Sequence, residues 1–364
     1  MGALLACTRA PAAAPATLDL LERPALATAH GERKLLLDVT RAGARLVAVG
    51  EAGLVLASDD DGHRWRQAPS PTSAMLTCVA FADATHGWAA GHDGVILATR
   101  DGGRTWERQF DGRAANAQML AAAREQDAAA RANRGTGASA ARAREQARDR
   151  LADAQAATAA GPSRPLLALL FTDASHGLAA GAFGQLFETS DGGAHWRFIG
   201  DRLAAGEGLH LNAITRSASG TLYIAAEAGA VFRSSDDGRH WKRSDTGYAG
   251  QLFGALSLSA RDVLAWGFGG HVYRSGNAGA TWAPVPSPLA GTLVHGARLG
   301  DGGVLLVSQD GRAMRSRDGA RHFDTLPARW PLVRTSSLAL ASDVRGAIVV
   351  GLGGVASFDL ASPK

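Results

Sequence analysis

One short pattern recurs seven times along this chain of 364 residues, and it constrains the fold more than any other feature. Each copy has an apolar pair, a tight turn ending in glycine, further apolar residues, and then Ser or Thr. The first reads Val49-Gly50-Glu51-Ala52-Gly53-Leu54-Val55-Leu56-Ala57-Ser58. The turn glycines are Gly53, Gly94, Gly184, Gly229, Gly270, Gly311 and Gly354, at spacings of 41, 90, 45, 41, 41 and 43 residues. The double-length spacing is one period plus an insertion. A fixed period of this size marks supersecondary units that bury their faces on their neighbours.

A second motif, Ser/Thr-x-Asp-x-Gly-x-x-Trp, follows six of the seven hairpins. Its copies place Asp60 before Trp65, Asp101 before Trp106, Asp191 before Trp196, and Asp236 before Trp241. A fifth copy has Asn277 before Trp282, and a sixth keeps Asp318 but ends in Phe323. This is the Asp-box or BNR repeat. Its chemistry is that of a tight loop between two strands. The carboxylate accepts backbone N–H bonds, glycine supplies a positive φ, and the aromatic ring fills the space between adjacent sheets. These aspartates are read as structural.

A further strand with a leucine near its start precedes each of the first six hairpins, at Leu35, Leu76, Leu166, Leu211, Leu252 and Leu293. Strand, turn, strand, hairpin, strand, box and strand make one four-stranded antiparallel blade. The expectation is an all-β, seven-bladed β-propeller with blades near 34–69, 72–110, 166–203, 208–245, 250–286, 290–327 and 331–360. The last unit has too few residues after its box position for a fourth strand. The apolar segment 17–24 is therefore expected to return and complete blade seven, since an open edge is a liability.

Residues 111–165 break the β pattern: they are Ala-rich, with Arg and Glu at helical spacing, and Gly135-Thr136-Gly137 divides them in two. The expectation is an α-helical hairpin between blades two and three. Its apolar stripe is thin (Met119, Leu120 and Leu151), so it is either an arm that docks on a partner or a tolerated surface insertion. The net charge of +4 is concentrated here, which leaves the rest of the chain near neutral, with no basic stripe for nucleic acid. No apolar run is long enough to span a membrane. Two cysteines, Cys7 and Cys78, cannot make a disulfide framework or a zinc site. Residues 1–16 read as a signal remnant or a disordered terminus. Leu4-Leu5-Ala6-Cys7 resembles the end of a lipoprotein signal, which points to export and to lipid anchoring through Cys7.

Asp-boxes occur in sialidases, which pair a tyrosine nucleophile with a carboxylate. Of the three tyrosines, Tyr223 and Tyr273 fall in predicted strands, and Tyr248 lies in a link with no Glu beside it. His86 and His176 occupy one turn in two blades, while His195, His240 and His322 each precede a box aromatic, so none is expected to converge on a metal. No catalytic residue, metal or cofactor is expected. Binding is expected at the channel mouth, where Lys34, His210, Gln251, His295 and Arg334 lead into the innermost strands.

The run Leu169-Leu170-Phe171-Thr172-Asp173-Ala174-Ser175-His176-Gly177-Leu178-Ala179-Ala180-Gly181-Ala182-Phe183-Gly184, with Thr189-Ser190-Asp191-Gly192-Gly193, resembles the photosystem II stability/assembly factor family. The resemblance covers nearly the whole chain apart from 1–16 and the insertion. It implies a non-enzymatic propeller that helps assemble a membrane complex. It is closer to a proteobacterial, exported branch often encoded beside a resistance-nodulation-division type exporter. The expected partner is accordingly an envelope or membrane protein complex, that exporter being one candidate, bound by a monomeric periplasmic scaffold. The competing expectation is a glycan-binding or sialidase-like propeller.

Overall fold

In the computed structural model, which describes residues 19–203, 208–329, 334–342 and 346–360, seven antiparallel sheets stand around one axis. Cys7 and residues 17 and 18 of the expected closing strand lie outside the described residues. Six sheets have four strands in chain order, and the seventh has three among the described residues. The first strands of neighbouring blades pack on each other, which puts the start of every blade at the axis and its end at the rim.

The second strand of a blade is buried at every position in Gly87–Gly91, Gly177–Gly181, Leu222–Ala226, Val263–Gly267 and Val304–Ser308. Covered on both faces, such strands carry unbroken runs of apolar and small residues instead of alternating ones. In blades one to six the first strand carries a register shift just after its leading residue, as between Leu76 and Cys78 or Leu211 and Ala213. In blade seven the shift follows the second residue, Thr335. In blade one the shift follows Leu36, so Leu36, not Leu35, is the equivalent leucine.

The Asp-box performs as a closed hydrogen-bond unit. Thr99 Oγ1 donates to Asp101 Oδ1 at 2.8 Å and accepts from Gly103 N at 2.9 Å. Asp101 Oδ1 accepts from Arg104 N and Thr105 N, and Trp106 Nε1 donates back to Gly103 O at 3.2 Å. Asn277 keeps the same geometry, accepting from Ser275 Oγ and Thr281 N.

The expected closing strand is a correction. Residues 19–24 form a bend on blades one and two, not a strand in blade seven. Leu21 is buried between blades one and two, and Leu20 O accepts from Ser73 N and Thr72 Oγ1. Apolar burial beside blade two outcompetes ladder pairing at blade seven. Blades seven and one instead meet face to face, through Leu36, Val39 and Leu46 against Ile348 and Val350. Arg41 Nε donates to Leu340 O at 2.7 Å, and Asp61, paired with Arg41, accepts from Ser342 N and Oγ.

The insertion forms α1 (Gly112–Ala132) and α2 (Ala138–Ala160), with Asp111 as N-cap of α1. Buried alanines (Ala115, Ala123, Ala147 and Ala154) let the two backbones approach closely. Asn116 Nδ2 donates to Ala157 O and Gly161 O. Gln118 acts as a surrogate strand on the rim edge of blade three: its amide donates to Trp196 O at 2.8 Å and accepts from Phe198 N at 2.7 Å. The hairpin thus covers an edge strand of the kind proteins protect.

Thr99 is buried, so Thr99→Val leaves the buried Gly103 N–H without its acceptor. The expected cost is about 2 kcal/mol, read as a fall of several degrees in Tm with the far-ultraviolet spectrum unchanged.

Candidate functional site

All the hairpin turns lie at the end of the propeller where the chain enters each innermost strand; the Asp-boxes lie at the other end. The residue preceding each innermost strand accepts the first N–H of its own blade's turn: Met75 from His92, Pro165 from Ala182, His210 from Glu227, Gln251 from Phe268, and Thr292 from Gln309. Leu35 does the same for Glu51. In blade seven, Arg334 O takes this place against Gly351, as Gln251 O does against Gly267. His210, Gln251 and Arg334 therefore share one ring around the mouth. Lys34 lies one residue outside that ring, and His295 lies three residues beyond it, inside the channel.

Two of these residues are tied together by an acid that sequence reasoning passed over. Glu227 Oε2 accepts from His210 N at 2.9 Å, and its Oε1 accepts from Gln251 Nε2 at 2.8 Å. Burial pushes the Glu227 carboxyl up, but these bonds outweigh it and hold the group below the usual carboxylate value.

The entry face also carries the apolar surface. Among the described residues, five large apolar side chains are exposed: Leu20 (38%), Leu26 (70%), Phe183 (48%), Phe268 (60%) and Leu352 (48%). Phe183 and Phe268 are turn residues of blades three and five, and Leu352 pairs with Arg334 at the start of blade seven's turn. Leu20 and Leu26 border a groove of about 670 Å³ with Lys34, Glu51, Ala52 and Asp93, beside the turns of blades one and two. All five lie on this one face. Tyr248 adds an aromatic shelf, its ring 4.4 Å from that of His271 and its hydroxyl donating to Phe268 O.

The opposite face is answered internally. His195, His240 and His322 each place Nδ1 within 2.7 Å of their own box carboxylate, and His86 and His176 lie 2.8 and 2.9 Å from Asp83 and Asp173. Backbone and imidazole bonds from His195 hold Asp191 down to about 2. In the groove of about 720 Å³ between blades three and four, Arg202 pairs with Glu188 and Arg216 lies 3.9 Å from Asp237. Among the described residues no group of three His, Cys, Asp or Glu is placed to hold a metal ion.

Inside the channel, three adjacent blades bring one equivalent position together. Ser337 Oγ donates to Asp38 Oδ1 at 2.7 Å and lies 3.2 Å from His295 Nδ1. Asp38 also accepts from Val39 N and from Val79 N of blade two. Burial pushes the Asp38 acid up to about 6, against the lowering effect of these bonds, and pushes His295 down to about 4. The serine sits between acid and imidazole and gives its proton to the acid. In a nucleophilic triad the imidazole would take that proton. The network joins blades six, seven, one and two across the seam.

A family model described as "Photosynthesis system II assembly factor YCF48" matches residues 58–123 and 159–321, more than half of the chain. The photosystem II stability/assembly factor HCF136 of Cyanidioschyzon merolae is 41% identical over 86 residues, 22% of this chain and 20% of that protein. The photosystem II assembly protein Ycf48 of Thermosynechococcus vestitus is 40% identical over 47 residues, 13% of this chain and 14% of that one. The aligned stretches thus span a fifth or less of these relatives' own lengths. Among solved structures, "YCF48 bound to D1 peptide" has a TM-score of 0.62 at 16% identity, covering 93% of this chain and 99% of that one. The WD40 propeller domain of Doa1 has a TM-score of 0.61 at 10% identity, covering 93% and 96%. At these identities the likeness is one of fold.

The channel network makes stability depend on pH. His295 has a folded pKa of about 4, below the unfolded value of about 6.5, so its contribution is complete above 6.5 and is lost as pH falls toward 4. Asp38 titrates in the opposite sense, lowering stability as pH rises toward 6. Urea unfolding of wild type and His295→Gln at pH 7 and pH 4.5 should show the wild type's margin shrinking by on the order of 2 kcal/mol at the lower pH. An unchanged margin would contradict the assignment.

Proposed function

The chain belongs to the photosynthesis system II assembly factor family, and on that premise we propose that it is a non-catalytic, exported propeller that binds a segment of a membrane protein during assembly of a complex. The observation that carries this reading is the gathering of every exposed large apolar side chain among the described residues onto the entry face. An apolar surface of this kind, ringed by polar groups, suits a protein partner. A relative's solved structure, named as YCF48 bound to a D1 peptide, supports peptide engagement by this fold.

The tyrosines support binding over catalysis. Tyr223 and Tyr273 are buried in strands, and the Tyr248 hydroxyl donates to the Phe268 carbonyl, with no hydrogen bond to a carboxylate among the described residues. Among the described residues no helix is long and apolar enough to cross a membrane. An envelope location follows from the family branch that the sequence resembles, with a resistance-nodulation-division type exporter as one candidate partner.

Phe268→Ser combined with Leu352→Ser tests the docking face. Both positions are exposed, so unfolding should stay within about 0.5 kcal/mol of wild type. Tagged wild type and the double variant are incubated with gently solubilised native envelope. The expected result is one membrane protein complex recovered by wild type and reduced at least tenfold for the variant. Equal recovery, or a specific hit on a glycan array with no protein recovered, would overturn the proposal.

A further inference from the structure

Between the helical hairpin and blade three lies a cavity of about 140 Å³, lined by Met119, Ala123, Ala154, Phe183 and Phe198. Its volume suits one side chain. Its walls are fixed, because Gln118 binds α1 to the edge of blade three and Asn116 binds α1 to the end of α2.

Two features at the rim stand apart from the other blades. Phe183 has φ of 57°, a conformation that bulky residues rarely adopt, while the equivalent turn positions carry Ala52, Asp93 and Ala228. Its half-exposed ring is gripped on one face by Arg164, whose guanidinium carbon lies 4.9 Å from the ring centre, and at its edge by His210 at 5.0 Å. Arg164 is itself half-buried, and burial lowers its pKa. Asp153 acts on it from a distance, but among the described residues no carboxylate lies within ion-pairing reach. A half-buried guanidinium without an ion partner is unfavourable, and a carboxylate supplied from outside relieves it through charge-assisted hydrogen bonds.

Resting on the docking-face reading, we propose that this cleft anchors a partner segment by pairing an acidic side chain with Arg164 and seating a neighbouring apolar side chain in the cavity. The helical hairpin is then the wall of a binding pocket. Phe183 holds the guanidinium in place by cation–π contact, and Asp153 and Asp201 at the cleft bar a second acid.

The test is a library of random heptapeptides displayed on phage as N-terminal fusions, so that carboxylates come only from Asp and Glu side chains. It is selected on wild type, on Arg164→Glu and on Ala154→Trp, which fills the cavity; thermal melts confirm folding, and Arg164→Glu alone suffices if the tryptophan variant is unfolded. Wild type should enrich peptides that carry Asp or Glu within two residues of Leu, Ile, Met or Phe. Made as amidated peptides, these should lose at least tenfold in affinity when the acid becomes an amide, and equally on either variant. Enrichment without an acid, equal affinity for the variants, or no enrichment on wild type overturns the proposal. Peptides that ignore both cleft variants but are lost on the Phe268 and Leu352 double variant leave the docking face standing and remove this pocket. Peptides that none of the variants affects defeat both readings.

Discussion

A backbone carbonyl stands where a side chain would be at the hairpin turn of blade after blade, and the ring is built on that contact. A Cβ on Gly53 would fall 1.8 Å from Thr72 O, and one on Gly354 would fall 1.8 Å from Glu32 O. Both glycines also have positive φ, so two separate constraints admit only the smallest residue. The first contact seats the turn of blade one on the chain leading into blade two. The second seats the turn of blade seven on the chain leading into blade one. The same rotational step is therefore made across the seam, where no strand is shared among the described residues.

Closure at the axis has chemical consequences. Side chains at one repeat position, far apart in sequence, become neighbours when they sit on innermost strands, and so Asp38, Ser337 and His295 form one network. Repeat-equivalent residues at the rim stay apart, and each box histidine is left to pair with its own aspartate. The two ends of the propeller thus diverge. The box histidines pair with aspartates of their own blade, and the entry end keeps exposed phenylalanine and leucine.

Much of this was legible in the sequence. The period of turn glycines dictated seven blades, and the alanine-rich break marked the helical hairpin. The position of residues 19–24 was not legible, because strand-like apolar pattern says nothing of which neighbour offers the better burial; Leu21 fits between blades one and two. The channel network was missed because Asp38 and Ser337 look unremarkable until the ring brings blades seven and one together. Lys34 and His295 stand off the ring of residues whose carbonyls bind the turns, an offset that shows only once those backbone bonds define the mouth. Phe183, Phe268 and Leu352 were findable by aligning the repeats, where all three fall at hairpin turns. Gln118 was not, because it needs the edge of blade three beside it.

The central claim is that the entry face meets a protein partner. A photo-crosslinking phenylalanine analogue placed singly at Phe268, Leu352, His195 and His240, then irradiated in native envelope, separates the two faces directly. The account predicts a covalent adduct with one protein from Phe268 and Leu352 and none from the two histidine positions on the box face. Adducts confined to the box face, or equal from both faces, would contradict it.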